Sequence, residues 1–175
     1  MLLHAVIKAF QEKYQRGWDK LYLAVDLHGT IIERYTGENL KPYEGAEEVL
    51  QALSTMPDIV LILFTSTSIE SLQPFYRWCS EKSINFKYLN ENPECSSNKT
   101  GDFSKKFYYN LLLDDRAGFD PSTDWENLTD CLNIARLMTA CPHIETCLRG
   151  LKYSGNSSLC TACSRNCYIF NEFFK

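Results

Sequence analysis

Long hydrophobic runs are missing from this sequence, whose apolar residues come in short clusters broken by charged and polar side chains. A membrane-spanning helix needs about 20 consecutive apolar residues, so we expect no such helix. The formal net charge is only −4, and the lack of a basic excess argues against tight non-specific binding to nucleic acid. Internal repeats and low-complexity tracts are also lacking, which argues against a repeat architecture.

What is present suits one compact domain. The chain has 175 residues, of which 45% are hydrophobic and 13% aromatic, enough for one packed core and a small appendage. Residues 1–20 have apolar side chains at helical spacing, which predicts an amphipathic helix and not a secretory signal. We therefore expect a cytoplasmic protein, in which the eight cysteines are thiols or metal ligands and not disulfides.

Apolar segments alternate with helical patterns over residues 21–140. The predicted strands are "LYLAV", "DIVLILF", "INFKYLNEN" and "FYYNLLLDD", and the predicted helices are "GAEEVLQALSTM", "IESLQPFYRWCSEKS" and residues 125–140. Pro74 near the start of the second of these helices counts against that assignment. Strands that are apolar throughout and alternate with helices predict an α/β fold, a Rossmann-like parallel sheet with helices on both faces. Residues 141–175 form a separate cysteine-rich tail.

Polar side chains follow three of these strands at the point where each ends. They are Asp26 and His28, then Thr65 and Ser66, then Asp114 and Asp115. The carboxyl ends of parallel strands meet at one edge of a sheet, where ligands bind. Acids from two strands repel each other and attract a divalent cation, for which Mg²⁺ is the natural candidate. A nucleophilic carboxylate beside Mg²⁺ and a hydroxyl group suits phosphoryl transfer through an aspartyl-phosphate.

Three motifs carry a family resemblance. "VDLHGTI" resembles the first motif of the haloacid dehalogenase (HAD) superfamily, a strand followed by Asp-x-Asp-Gly-Thr. "LILFTS" resembles its second motif and "LLLDDRAGFD" its paired-acid fourth motif, in the same order, over residues 21–120. The short intervals between the motifs leave no room for a large cap domain. The resemblance therefore implies a capless phosphatase with an open site, of the kind that often acts on bulky phosphoesters.

The resemblance also implies roles in binding and attacking the phosphoryl group. Asp26 would be the nucleophile that attacks phosphorus, and Thr65 would donate a hydrogen bond to a phosphoryl oxygen, with Ser66 as a neighbouring candidate. Gly29 would permit a tight turn and a close approach of the backbone to the phosphate. For the metal, the resemblance implies ligation by Asp26, Asp115 and the backbone carbonyl of His28, with Asp114 acting directly or through water.

His28 departs from the family pattern, in which an acid at this position protonates the leaving oxygen and then activates water. An imidazole can do both, because histidine titrates near neutral pH, at about 6.5. The alternative is that His28 marks a relative that kept the fold and the metal but lost the reaction. The sequence thus leaves two functions open, a Mg²⁺-dependent phosphatase and a catalytically silent binding or scaffold protein.

The family also uses a cationic residue to neutralise the phosphoryl group. Candidates are Lys99, Lys105 and Lys106. Lys106 begins the predicted strand whose far end carries Asp114 and Asp115. Asp114 would be about 26 Å away at 3.3 Å per residue, so Lys106 belongs at the opposite edge of the sheet. Lys99 in the polar loop is therefore the preferred candidate. Arg116 either contacts substrate phosphate or is an ordinary surface arginine.

The tail has the ligands of a zinc site. Its cysteines are Cys141, Cys147, Cys160, Cys163 and Cys167, with His143 between the first two. A Cys-x-x-Cys pair with two further cysteines upstream suits tetrahedral Zn²⁺, and the first four cysteines are the preferred ligands, with Cys167 as the main substitute. An iron–sulfur cluster and free thiols are the alternatives. The zinc would be structural, and the tail could also contact nucleic acid or protein.

Together these observations predict a Mg²⁺-dependent phosphoester hydrolase that forms an aspartyl-phosphate on Asp26. Its phosphorylated substrate would be a nucleotide, a nucleic acid or a protein, with no role for a membrane.

Overall fold

The computed structural model of the protein describes residues 2–34, 40–99 and 101–139, with side chains as far as Arg136 in the last helix. The elements are α1 (Leu2–Gln15), β1 (Leu21–Asp26), α2 (Ala46–Thr55), β2 (Ile59–Phe64), α3 (Gln73–Glu81), β3 (Tyr88–Leu89), β4 (Leu111–Leu113) and α4 (Asp124–Thr139). The predicted alternation of strands and helices is confirmed. No helix in these ranges has the length and hydrophobicity to cross a membrane. The zinc site predicted for residues 141–175 lies outside the described residues.

The four strands form one sheet in the order β3-β2-β1-β4, and every neighbouring pair is parallel. In β1, Leu23 pairs with Leu61 of β2 on one side and with Leu111 of β4 on the other. The first five residues of β1 and of β2 are buried, which explains why both strands are apolar without alternation. The predicted parallel α/β sheet is therefore confirmed.

One face of the sheet carries the main core. Leu21, Leu23 and Val25 of β1 belong to one buried cluster to which all four helices contribute. Trp125 of α4 is its largest fully buried side chain. Burial of a large apolar side chain contributes about 1.5–3 kcal/mol, so this cluster contributes much of the stability of the sheet.

The prediction of helices on both faces is wrong for the described residues. The second face presents Tyr22, Val60 and Ile62, and it is covered by Tyr88, Cys95, Phe107 and Tyr108 from the irregular segment between β3 and β4. Chain crossovers are right-handed, and the step from β3 back to β4 runs opposite to the two earlier steps, so it must cross the other face. Residues 90–105 are rich in Asn, Ser, Pro and Gly, which favour turns over a helix.

Two predicted strands are much shorter than expected, because apolar residues outside them pack without pairing: Ile84 and Phe86 on the main core, and Phe107 and Tyr108 on the second face. Residues 84–92 form a strand only at Tyr88–Leu89, and residues 107–115 only at Leu111–Leu113. Pro74 carries no penalty, because α3 begins at Gln73 and the first turn of a helix needs no proline N–H.

Candidate active site

The carboxyl edge of the sheet gathers acids from two adjacent strands. Asp26 ends β1, and Asp114 and Asp115 directly follow β4, which pairs with β1. One carboxylate oxygen from each of the three lies within 4.8 Å of the others, and all three side chains are half-buried. The structure thus brings together the acids that the sequence assigned to a metal.

A tight turn from Leu27 to Ile32 shapes the floor of this acid cluster. The Ile31 and Ile32 N–H groups donate to the Leu27 carbonyl at 3.0 Å, and the Gly29 N–H donates to the Ile32 carbonyl at 2.7 Å. Gly29 has φ +90°, where side chains are strained. A Cβ there would also lie 3.1 Å from Asp115 Oδ1 and 2.6 Å from Arg34 Nε, so a side chain at this position would have to displace both.

Asp115 is held in place from the opposite side by the same turn. Its backbone N–H donates to Thr30 Oγ1 at 3.0 Å, and Trp125 Nε1 donates to the Thr30 carbonyl at 2.8 Å in the buried core. Asp114 uses one carboxylate oxygen to accept the Arg116 N–H at 2.7 Å, which caps a single 3₁₀ turn. Helix α4 therefore supports the acid cluster through Thr30.

The two oxygens of Asp115 differ in their surroundings. Arg34 Nη2 forms an ion pair with Oδ2. Oδ1 is buried and has no hydrogen-bond partner among the described residues. A buried carboxylate oxygen without a donor is costly, and a hard cation would satisfy it. Asp115 together with Asp26 and Asp114 offers the all-oxygen donor set that suits Mg²⁺. The residues present therefore fit that ion.

Asp26 is electrostatically strained. Burial raises the pKa of its carboxyl above the usual value, and the neighbouring charges of Asp114 and Asp115 raise it further. The backbone N–H of Leu27 and the His28 side chain act in the opposite direction. The pKa of Asp26 is raised overall because three acids are packed into a partly desolvated site. Positive charge is needed there to keep all three ionised.

Thr65, at the end of β2, is buried and firmly oriented. Asn90 receives the Thr65 N–H on its side-chain oxygen at 2.8 Å and donates from Nδ2 to the Thr65 carbonyl at 2.6 Å. The Thr65 hydroxyl lies 3.0 Å from Thr67 Oγ1, which lies 3.3 Å from His28 Nδ1. His28 and Ser66 are exposed. The hydroxyl chain therefore links the predicted phosphate ligand to the predicted proton donor.

The candidate lysines are not placed as the sequence predicts. Strand β4 starts at Leu111 and not near Lys106, so the separation of about 26 Å does not apply. The Phe107 ring instead packs on Phe64, 5.8 Å between centroids, and Phe64 pairs in register with Asp26. Phe107, which follows Lys106, therefore lies near the acid edge along the second face, and the Lys106 Nζ lies 5.7 Å from the centre of the Tyr109 ring. Lys99 is exposed and, among the described residues, makes no ion pair with the acids.

Four residues of the site were not predicted: Thr30, Arg34, Thr67 and Asn90. Thr30 stands in the quoted first motif, and its position there was a usable signal. Asn90 has φ +53°, and an asparagine just after a strand favours such a conformation. Arg34 and Thr67 carry no signal in a single sequence, because their roles depend on how two loops meet.

Comparisons with known proteins add little to this picture. No family model matches the chain, and no curated protein matches it. Among solved structures, a conserved protein from Bacteroides thetaiotaomicron is 26% identical and covers 63% of this chain and 91% of its own, with a TM-score of 0.49. A likeness at that level carries no functional argument. The parallel α/β fold stands on the described coordinates, and membership of the HAD superfamily remains a prediction.

Proposed function

We propose that the protein is a Mg²⁺-dependent phosphomonoester hydrolase with HAD-like chemistry, in which Asp26 is the nucleophile. The observation that supports this most is the cluster of Asp26, Asp114 and Asp115 within 4.8 Å at the carboxyl edge of a parallel sheet. The partnerless Oδ1 of Asp115 supports a cation at its centre. Mg²⁺ held by these carboxylates would neutralise the negative charge of the phosphoryl oxygens.

The chain's own residues supply the remaining steps. An oxygen of Asp26 attacks phosphorus, and the bond from phosphorus to the leaving oxygen breaks. His28, exposed at the mouth of the site, donates a proton to that oxygen. Water, deprotonated by His28, then attacks the phosphorus and frees Asp26. Thr65 binds a phosphoryl oxygen, Gly29 lets the backbone come close to the phosphoryl group, and Lys106 is the preferred neutralising cation, ahead of Lys99 and Lys105.

A specific contact favours the second candidate function, a catalytically silent binding protein. The Arg34 ion pair with Asp115 already neutralises one of the acids that the metal would use. Both side chains are partly exposed, 40% and 22%, and such surface pairs contribute only about 0–1 kcal/mol. Arg34 is therefore a weak competitor that a divalent cation can displace, and the phosphatase proposal is preferred.

Turnover of para-nitrophenyl phosphate tests the proposal. We expect release of phosphate by the wild type with Mg²⁺, none after chelation, and a loss of at least about 10³-fold in Asp26→Asn, which keeps the shape of the side chain but not its nucleophilicity. Asp120→Asn is the matched control, because Asp120 is exposed and lies outside the acid cluster. Equal background rates in the wild type and Asp26→Asn would support the silent binding protein.

A further inference from the structure

A cavity of about 320 Å³ opens beside the acid cluster, between the turn that follows β1 and the start of α3. Its lining is mixed: Leu27, Ile32, Leu40 and Phe75 supply apolar side chains, and the polar surface is larger than the apolar one. These side chains come from the turn, from the segment before α2 and from α3, so the cavity is built by the folded core. Its size falls at the lower end of small-molecule sites, which span roughly 300–1,000 Å³.

The rim of the cavity is polar and positively charged. His28 and Ser66 line it next to the reacting edge, and Arg34 and Arg116 contribute two guanidinium groups. Arg34 is already paired with Asp115. Arg116 is exposed and forms no ion pair within the described ranges, so its charge is available to a ligand. Among the described residues that line the cavity, none is acidic.

The cavity lies next to the residues that are proposed to bind and protonate the substrate. His28 lines the cavity and follows Asp26 by two residues, and Ser66 lines it directly after Thr65. A phosphoryl group bound by Asp26 and Thr65 would therefore have this cavity as its neighbour. The part of the substrate that leaves with the oxygen protonated by His28 is the part that would enter it.

We propose that the cavity binds the leaving group of a small phosphomonoester, and that this leaving group combines an apolar or aromatic body with a second anionic group held by Arg116. The inference rests on the proposed function and narrows its substrate class. The apolar lining selects the body, and the guanidinium selects the anion through charge-assisted hydrogen bonds. A bare phosphate would leave most of the cavity empty.

Three phosphonates test the inference without depending on turnover, because their carbon–phosphorus bond is not hydrolysed. Methylphosphonate has only the anion, benzylphosphonate adds an aromatic body, and 4-carboxybenzylphosphonate adds a second anion. Isothermal titration calorimetry with the full chain and Mg²⁺ should show affinity rising in that order. We expect the carboxylate to improve affinity about tenfold over benzylphosphonate, the strength of a charge-assisted contact.

Arg116→Gln should remove that gain and leave benzylphosphonate binding within about twofold of wild type, because glutamine keeps the polar side chain but not the charge. Arg77→Gln is the control, since Arg77 is exposed on α3 and does not line the cavity. It should bind all three compounds as the wild type does.

Equal affinities for the three phosphonates, or no binding of any, would overturn the inference. So would a carboxylate preference that survives in Arg116→Gln. Failure of the proposed function is read separately, from hydrolysis of para-nitrophenyl phosphate by the wild type and Asp26→Asn. A protein that hydrolyses this ester but binds the phosphonates equally keeps its function and loses this substrate class.

Discussion

Asp26 lies half-buried among other carboxylates, and at the scale of single residues this makes its negative charge costly. Burial and the charges of Asp114 and Asp115 raise its pKa. Without metal, a carboxyl whose pKa is raised by folding stabilises the protein only while it is protonated. That contribution is complete below the pKa of the unfolded chain, about 3.9, and is lost as the pH rises through the folded value.

We therefore predict that Asp26→Asn makes the metal-free protein more stable at pH 7, because the amide removes a repelled charge. Urea unfolding in the presence of a chelator should show a higher midpoint for the variant at pH 7 and a smaller difference at pH 3. Adding Mg²⁺ should stabilise the wild type more than the variant. A variant less stable than the wild type at pH 7 under chelation would contradict this account of the site.

Arg34 would compete with a divalent cation for Asp115. We predict that Arg34→Gln binds Mg²⁺ about fivefold more tightly than the wild type, since a partly exposed ion pair of about 1 kcal/mol no longer has to break. Isothermal titration calorimetry with Mg²⁺ measures this, and Arg77→Gln serves as the control for loss of one positive charge. Unchanged or weaker binding in Arg34→Gln would show that Arg34 does not occupy the metal's place.

Thr67 positions the imidazole of His28. The contact at 3.3 Å and the hydroxyl of Thr65 behind it favour a Thr67 hydroxyl that donates to Nδ1, which places the imidazole proton on Nε2. We predict that Thr67→Val lowers kcat about tenfold with little change in KM. Nitrogen-15 NMR of His28 at a pH where the ring is neutral should show the Nε2–H tautomer in the wild type and a mixture in the variant. Identical tautomers would remove Thr67 from this role.

At the scale of elements, helix α4 connects the core to the acid cluster through two hydrogen bonds made by Thr30. Trp125 is fully buried and donates to the Thr30 carbonyl, while the Thr30 hydroxyl holds the Asp115 N–H. We predict that Trp125→Phe costs about 1–3 kcal/mol, because the buried carbonyl loses its donor. The midpoint of chemical unfolding measures this cost, and Mg²⁺ affinity should fall as well.

Trp78→Phe is the matched control for that change. Trp78 is half-buried on α3, and its indole N–H has no hydrogen-bond partner among the described side chains. The substitution should cost clearly less than Trp125→Phe and leave Mg²⁺ affinity unchanged. Equal effects of the two substitutions would mean that the Thr30 contact does not support the site.

The elements that the sequence predicted well are those whose pattern reflects burial. The strands Leu21–Asp26 and Ile59–Phe64 are apolar because both faces are covered, and that also placed Asp26 and Thr65 at one edge. The segment around Phe107 and Tyr108 is equally apolar but covers the sheet without pairing. Hydrophobicity alone cannot distinguish a strand inside a sheet from a chain that lies across it.

At the scale of the whole molecule, the sheet is asymmetric over the residues that the structure describes, with four helices on one face and an irregular segment on the other. Three cysteines lie within the described core, and burial raises the pKa of the Cys79 thiol to about 12, which makes it a packing residue. The five cysteines from Cys141 onward are the remaining set, and they stay a prediction of a structural zinc site.

We predict about one equivalent of zinc in protein purified without chelators, lost when Cys160 and Cys163 are both changed to Ser. Inductively coupled plasma mass spectrometry measures the content. Cys95→Ser is the control, because Cys95 packs on the second face of the sheet, and it should retain zinc. Protein that contains no zinc, or that keeps zinc without Cys160 and Cys163, would refute this assignment.

The central claim is that Asp26 accepts a phosphoryl group beside a cation held by Asp114 and Asp115. Beryllofluoride mimics that phosphoryl group, and fluorine-19 NMR detects it when bound, whatever the rate of turnover. We expect protein-bound resonances in the wild type with Mg²⁺, and none after chelation or in Asp26→Asn. Their absence from the wild type, or their persistence in Asp26→Asn, would contradict the account.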